Sequence, residues 1–232
     1  MSEARFSLSL TRVLAVDTAT EVCSAACLAR GKLVQRDVLD PQGHSRLLLG
    51  MIEAVLAQAQ LSRASLDAVA YDAGPGSFTG IRIGASVAQG LALGLDKPLL
   101  AVSSLMALAE GVSAQDSSCP RVLAAIDARM NQVYWGCLER DDKAPGGWRW
   151  HEPPRVSDPA NVTEHLDGCI GVGSGWDRFA GVFTAKHPVP WQAGAFPLAG
   201  DVAVIAHRLL AQGATGGWHD AMPVYVRDDV TG

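Results

Sequence analysis

The apolar positions follow two rhythms. Arg12–Asp17, Val22–Ala29 and Lys32–Val38 are short apolar or alternating runs, the mark of strands. The turn Thr18–Glu21 and the dipeptide Arg30-Gly31 separate them, which predicts an antiparallel start of three strands. From His44 the period becomes helical. Leu47, Leu48, Met51, Ile52, Val55 and Leu56 fall on one face, with Arg46, Gly50 and Glu53 opposite, predicting a helix over His44–Ala59. Ala68–Tyr71 is a short buried strand, and Gly74-Pro75-Gly76-Ser77 is a sharp turn. A helix over Phe78–Leu95 follows, with Ser77 or Thr79 able to cap it. Pro98–Val102 predicts a strand, and Ser103–Gly111 a helix capped by Ser103 or Ser104.

The chain then begins again. Val122–Asp127 resembles Arg12–Asp17, and Gln132–Glu139 follows the turn Ala128–Asn131 as a second strand. Asp17 and Asp127 are 110 residues apart, as are Cys27-Leu28 and Cys137-Leu138. A repeat of this length suggests a duplicated domain. The prediction is two α/β lobes, each with a mixed sheet and packed helices. Their division falls near Leu105–Val112, giving lobes 1–107 and 108–232. Asp141–Trp150 is a polar loop or hairpin, and Cys169–Gly175 a strand ending in a glycine turn. Asp201–Leu210 is a helix capped by Asp201, and Pro223–Arg227 a short terminal strand.

Two features of the helix over Phe78–Leu95 ask for a reason. A strand, a glycine-rich turn and a helix start can bind anions, because free N–H groups and the helix dipole point the same way. The spacing over Gly74–Gly80 is neither G-x-G-x-x-G nor a P-loop, so a plain tight turn stands beside phosphate contact as a reading. Secondly, Gly80, Gly84 and Ala88 form a small-residue stripe flanked by Ile83, Val87 and Leu91. Glycine in a helix costs about 1 kcal/mol relative to alanine, and this helix holds Gly80, Gly84, Gly90 and Gly94. Close backbone approach would explain them, either by the chain's own sheet or by a second subunit.

Composition narrows the partners. Hydrophobic residues make up 48% of 232 residues and charged ones 19%, which is globular. The net charge is −5 and the pI about 5.6, with no basic run, so any nucleic-acid contact is expected only through a partner. No apolar run approaches the roughly 20 residues a bilayer span needs, and the N-terminus lacks a signal-peptide core. A cytoplasmic protein is expected. The cysteines Cys23, Cys27, Cys119, Cys137 and Cys169 show no C-x-x-C and read as small buried hydrophobes in a reducing compartment.

Catalytic chemistry is hard to find in the sequence. The six histidines (His44, His151, His165, His187, His207 and His219) have no i, i+4 pair and read as surface or capping residues. Ser77 sits in Gly76-Ser77-Phe78-Thr79-Gly80, which is not G-x-S-x-G. Neither a catalytic residue nor a metal ligand is assigned.

GPGSFTGIRIGASVAQGLALGLDKPLLAVSSLMALA resembles the signature of the TsaB (YeaZ) family, bacterial accessory proteins of tRNA threonylcarbamoyladenosine synthesis. VLAVDTATEVCSAACL, VLAAIDARMNQVYWGCLER and PVYVRD fit the same family, and the likeness is weakest over 141–164. The resemblance implies a two-lobed actin/hexokinase/Hsp70-like (ASKHA) fold. In active members of that superfamily the first hairpin approaches nucleotide phosphates and metal. It follows that Asp17, Thr18, Thr20, Gly74, Gly76, Ser77 and Thr79 are the candidate phosphate contacts, to ATP or ADP and only with partners bound; no intrinsic cofactor is implied. The catalytic paralogue TsaD carries a His-His-x-x-x-His element where Ser104 and Leu108 stand here. The implied role is a non-catalytic subunit that binds and activates TsaD, with the ATPase TsaE as third partner. The reaction is threonylcarbamoyl transfer to the adenosine beside the anticodon of ANN-decoding tRNAs. Family members pair through two helices, which points to Leu48, Met51, Ile52, Val55, Gly80, Ile83, Gly84, Val87, Ala88 and Leu91 as the interface, toward TsaD or a second copy. The alternative is an independent enzyme of the superfamily, an ATP-dependent transferase or a glycoprotease-like metallopeptidase.

Overall fold

The computed structural model describes residues 11–115, 121–162, 168–185 and 189–217, with positions 219, 222, 224 and 226. β1 (Arg12–Asp17), β2 (Val22–Ala29) and β3 (Lys32–Leu39) form the expected antiparallel meander. α1 (His44–Gln58), β4 (Ala68–Gly74), α2 (Phe78–Leu95) and β5 (Leu99–Ser103) complete a sheet of order β3-β2-β1-β4-β5, with β4 and β5 parallel to β1. The second half supplies α3 (Ser104–Gln115), β6 (Arg121–Asp127), β7 (Val133–Arg140), β8 (Trp148–Ser157), β9 (Cys169–Val172), α4 (Ser174–Phe183), β10 (Trp191–Gln192) and α5 (Ala199–Ala211). Its sheet runs β10-β9-β6-β7-β8, the same order seen from the other end. β1 and β6 therefore hold equivalent central places in two duplicated mixed sheets.

One piece of the apparent repeat is not structural. Cys27 lies opposite Leu14, but Cys137 lies opposite Leu123, one register step away from the equivalent position. A one-residue slip turns side chains to the other face. Cys27 accordingly packs with Leu14 and Val16 under α1 and α2, whereas Cys137 packs with Leu123 and Ala125 under α4.

The helices do not follow the chain's division. α1 and α2 cover one face of the first sheet, on Leu14, Val16, Val69 and Tyr71. The other face, lined by Val13, Ala15, Ala26, Ala68 and Ala70, is covered by α5 from the far end of the chain. α3, within which the expected 107/108 boundary falls, packs instead on Val122, Ala124, Ile126 and Leu138 of the second sheet. The alanines let α5 come close. The first N–H groups of α5 then find acceptors on the strands: Ala199 N donates to Ser24 Oγ and Gly200 N to Gln35 Oε1, both at 2.9 Å. The N-cap is Leu198, so Asp201 sits in the first turn and is not the cap expected of it. α3 and α5 meet between the sheets. There buried Glu110 takes Arg208 through two bonds (2.6 and 2.8 Å), Trp148 Nε1 at 2.8 Å and Arg140 at 3.3 Å.

β8, α4 and β10 are additions to the expected elements. β8 contains Pro153-Pro154, which only an edge strand tolerates, and β8 is an edge. α4 begins at Gly173–Gly175, a turn signal, and has a non-helical Phe179 that spoils its period. α2 is, among the described residues, the one helix long and apolar enough to cross a bilayer by length and composition alone; its apolar face is built into the core. Of the expected strand Pro223–Arg227, positions 224 and 226 are described, and Val224 N donates to Ala73 O at 2.7 Å; the rest lies outside the described residues.

Candidate functional site

The β1–β2 turn and the β6–β7 turn face each other across a cleft of about 340 Å³. Ala19, Thr20 and Glu21 line one wall with Gly76, Ser77, Phe78, Pro41 and His44. Ile126, Asp127, Ala128, Arg129, Tyr134 and Ser174 line the other. Asp127 is held within its own lobe, accepting from Arg129 N at 3.0 Å and from Arg178 Nη1 at 2.8 Å. Arg129 reaches across to Glu21 at 3.6 Å.

The phosphate candidates separate. Thr20, Gly76 and Ser77 do line the cleft. Thr18 is buried, and its hydroxyl donates to Gly80 O at 2.7 Å. Gly74 is buried at the end of β4, and Thr79 faces a different groove, between α1 and α2. Several donors of the glycine turn are already used. Ser77 N donates to Ala19 O at 2.7 Å, Gly74 N to Asp72 Oδ1 at 2.8 Å, and Gly80 N to Ser77 Oγ at 3.3 Å. Of the two expected caps of α2, Ser77 is thus the one that serves.

Asp17 lies behind the cleft wall, fully buried, beside Asp72 of β4. Its Oδ1 accepts from Ala19 N at 2.7 Å. Burial, then the charge of Asp72, pushes the Asp17 carboxyl well above its ordinary range. Asp72 is raised too, by burial, against hydrogen bonds from Ser104 Oγ (2.5 Å) and Gly74 N that favour its ionised form. Two carboxyls this close carry one proton between them. Asp72, which accepts from two donors where Asp17 accepts from one, is the more readily ionised of the pair, and Asp17 the more readily protonated. Ser104, read as a helix cap, instead serves this pair.

His44 is also placed differently from expectation. It is 5% exposed and lines the cleft with Nδ1 unbonded. Its signal in the sequence was position alone, first residue of an amphipathic helix. The remaining described histidines, 151, 207 and 219, lie outside the cleft lining, and His165 and His187 lie outside the described residues. Cys23, Cys27, Cys137 and Cys169 are buried thiols, as their spacing suggested, with the Cys137 and Cys169 sulfurs 3.8 Å apart; Cys119 lies outside the described residues. Among the described residues no group of three or more His, Cys, Asp or Glu is placed to hold a metal ion.

The expected helix interface requires correction. Leu48, Met51, Ile52 and Val55 are buried in the chain's own core beneath the sheet-facing side of α1. Gly80, Gly84 and Ala88 are buried as well. A Cβ at Gly80 would overlap the Thr18 carbonyl oxygen, and one at Gly84 would stand 2.6 Å from Thr18 Oγ1. Gly80 and Gly84 of the small-residue stripe thus admit the β1–β2 turn of the same chain. What remains outside is a groove between α1 and α2. Leu49 (57% exposed) and Phe78 (56%) rim it with Ser45, Thr79, Arg82, Ile83, Ser86 and Val87. Arg82 lies 3.6 Å over the Phe78 ring. Leu91 continues the half-buried edge of this face.

Comparison with known proteins agrees with this architecture. The family model "TsaD: tRNA N6-adenosine threonylcarbamoyltransferase" matches residues 39–144. The tRNA threonylcarbamoyladenosine biosynthesis protein TsaB of Escherichia coli is 39% identical, over 94% of this chain and 96% of its own length. The Haemophilus influenzae protein of that name is 36% identical over 94% of each. Among solved structures, YeaZ from Pseudomonas aeruginosa superposes with a TM-score of 0.85 at 37% identity, over 93% of this chain and all of its own. Component A of (R)-2-hydroxyglutaryl-CoA dehydratase from Acidaminococcus fermentans, 11% identical over 87% of this chain and 99% of its own with a TM-score of 0.50, shares the fold alone. With two sheets of one order, a duplicated hairpin and relatives matched along nearly their full length, the chain belongs to the TsaB family of tRNA threonylcarbamoyladenosine biosynthesis proteins.

Proposed function

We propose that this chain is a non-catalytic subunit that binds TsaD and activates it for threonylcarbamoyl transfer to the adenosine beside the anticodon in ANN-decoding tRNAs. It acts in the cytoplasm, with TsaE as third partner and tRNA contacted only through the assembly. The observation that carries the reading is the apolar groove between α1 and α2. Leu49 and Phe78 are large apolar side chains left in water, and exposed apolar surface of this kind marks interaction sites. Ser86, Gly90 and Gly94 keep one flank of α2 low, with nothing within 4 Å of Gly90 or Gly94, so a partner helix can approach. Ile83, Val87 and Leu91 of the expected interface contribute from its half-buried edge. ATP or ADP contact, by Thr20, Gly76 and Ser77, belongs to the assembled complex.

The test uses Leu49, exposed on the rim of the groove, and Ile83 on its half-buried edge, each variant checked for folding. Leu49→Glu places a charge in the groove, where losing an anchor costs about 2 kcal/mol or more, a loss of over tenfold in affinity. The expected outcome is loss of TsaD capture and of tRNA modification with an unchanged melting temperature. Full-strength TsaD binding by folded Leu49→Glu and Ile83→Glu would place the interface elsewhere. Threonylcarbamoyl transfer by the purified chain without TsaD would establish it as an enzyme.

A further inference from the structure

We propose that the outer edge of β3 is a docking site for an extended segment of another protein, which adds to the first sheet as a further strand and carries apolar, acidic and apolar side chains at alternate positions.

The two sheets end in four edge strands, β3, β5, β8 and β10. Three of these are blunted. β8 carries Pro153-Pro154, and β10 is two residues long. Leu99 N of β5 donates to Gly216 O at 3.0 Å, so the segment after α5 runs beside that edge. β3 has eight residues, none of them proline or glycine, and among the described residues no strand lies beyond it. Alongside it is a groove of about 600 Å³, walled by Leu47, Gly50, Met51 and Ala54 of α1. A Cβ at Gly50 would meet nothing within 4 Å, so the wall is low there. This flank of α1 is distinct from the one that shares a groove with α2. A strand added about 4.8 Å beyond β3 would bond to that edge through its backbone and pack against α1 through its side chains. Strand addition of this kind takes affinity from main-chain hydrogen bonds and specificity from pockets for alternate side chains.

The side chains of β3 define the partner. Val34 packs toward α1, and Arg36 Nη2 donates to Gln58 Oε1 of α1 at 3.5 Å, so Val34, Arg36 and Val38 share the α1 face. Gln35, on the other face, accepts from Gly200 N, and Asp37 accepts from Gln35 Nε2 at 3.0 Å. Arg46 at the groove is paired with Asp40 at 3.0 Å. Exposed Arg36 is thus the charge that a neighbouring strand meets on the α1 face. Cross-strand neighbours favour apolar against apolar and opposite charges, so the complement of Val34, Arg36 and Val38 is apolar, acidic, apolar. A second copy does not supply it. Two copies of β3 paired about a two-fold axis keep equal faces together, so one residue meets its own copy. Centring on Arg36 or Asp37 sets like charges opposite each other. Centring on Gln35 sets Leu33 against Asp37 and Val34 against Arg36.

The probe is a blocked, fluorescently labelled peptide with valine, glutamate and valine at alternate central positions and threonine elsewhere, titrated with the purified full-length chain and followed by anisotropy. Saturable binding is expected. The same peptide with lysine in place of glutamate should bind about tenfold more weakly, because an attractive cross-strand pair becomes a repulsive one. Arg36→Glu, an exposed change, should reverse that preference and favour the lysine peptide. Gly50→Leu fills the groove and should weaken the glutamate peptide about tenfold. It keeps the fold, since leucine suits a helix better than glycine and the space there is open. A peptide with proline between valine and glutamate loses a backbone donor and should not bind. No saturable binding up to millimolar peptide, equal affinity for both peptides, or undiminished binding by Gly50→Leu overturns the proposal. So does light scattering that shows a dimer dissociated by Gly50→Leu, which would give the edge to a second copy.

Discussion

Gly80→Ala should unseat the β1–β2 turn. The methyl group would overlap the Thr18 carbonyl oxygen, a backbone atom that no rotamer change can move. Helix and turn must part, and the bond from Thr18 Oγ1 to Gly80 O, 2.7 Å and buried, stretches or breaks. Overpacking of this kind costs about 1–3 kcal/mol, and the lost hydrogen bond about 1 kcal/mol more. Replacing glycine by alanine in a helix returns about 1 kcal/mol. The net loss is about 2 kcal/mol, or roughly 4–8 °C in melting temperature for a chain of this size. Gly90→Ala, in the same helix but exposed with nothing within 4 Å, keeps only the favourable term and should gain up to about 1 kcal/mol. Thermal and urea denaturation of the pair, followed by circular dichroism, gives both signs in one experiment. Equal stability of the two variants would refute the reasoning. A Gly80→Ala chain of wild-type stability that no longer held TsaD would return the stripe to the partner interface.

Three further outcomes follow from other parts of the structure. Glu110→Ala strands Arg208 and Trp148 Nε1 between the lobes and should cost about 3 kcal/mol, measured by urea denaturation. Burial, then the charge of Glu110, raises the Asp201 carboxyl to about 7, against the pull of its own helix N-terminus. The folded state thus holds this proton more tightly than the unfolded one, so its contribution is full below pH ~4 and is lost as pH rises toward 7; melting curves of Asp201→Asn should lack that part of the slope. Gly171→Ala drives a methyl group into the Trp176 ring, whose Nε1 holds Leu123 O at 2.9 Å; a loss of about 1–3 kcal/mol with a shift in tryptophan emission is expected.

The local pattern was enough to place most elements. The meander, α1 and α2 appear almost to the residue, because turn residues and hydrophobic period agree there. The duplication was legible too, through the two apolar strands ending in Asp17 and Asp127, which the sheet orders bear out. β8 and α4 were not, since Pro153-Pro154 and Gly173–Gly175 are turn signals in isolation. They are tolerated here only because one lies on a sheet edge and the other opens a helix at a chain crossing. The sequence shows that Gly80, Gly84 and Ala88 share a face, and likewise Leu48, Met51, Ile52 and Val55. It does not show what each face meets. Only the tertiary structure put the Thr18 turn against the first and the sheet under the second, leaving Leu49 and Phe78 outside. The cleft was decided in the same way. Thr20, Gly76 and Ser77 could be named from their own turns, but His44, Ser174 and the hairpin residues Arg129 and Tyr134 come from three other places in the chain. Periodicity along a chain fixes which side chains share a face; which faces meet depends on how the two sheets and their helices close together, and that is a property of contacts distant in sequence.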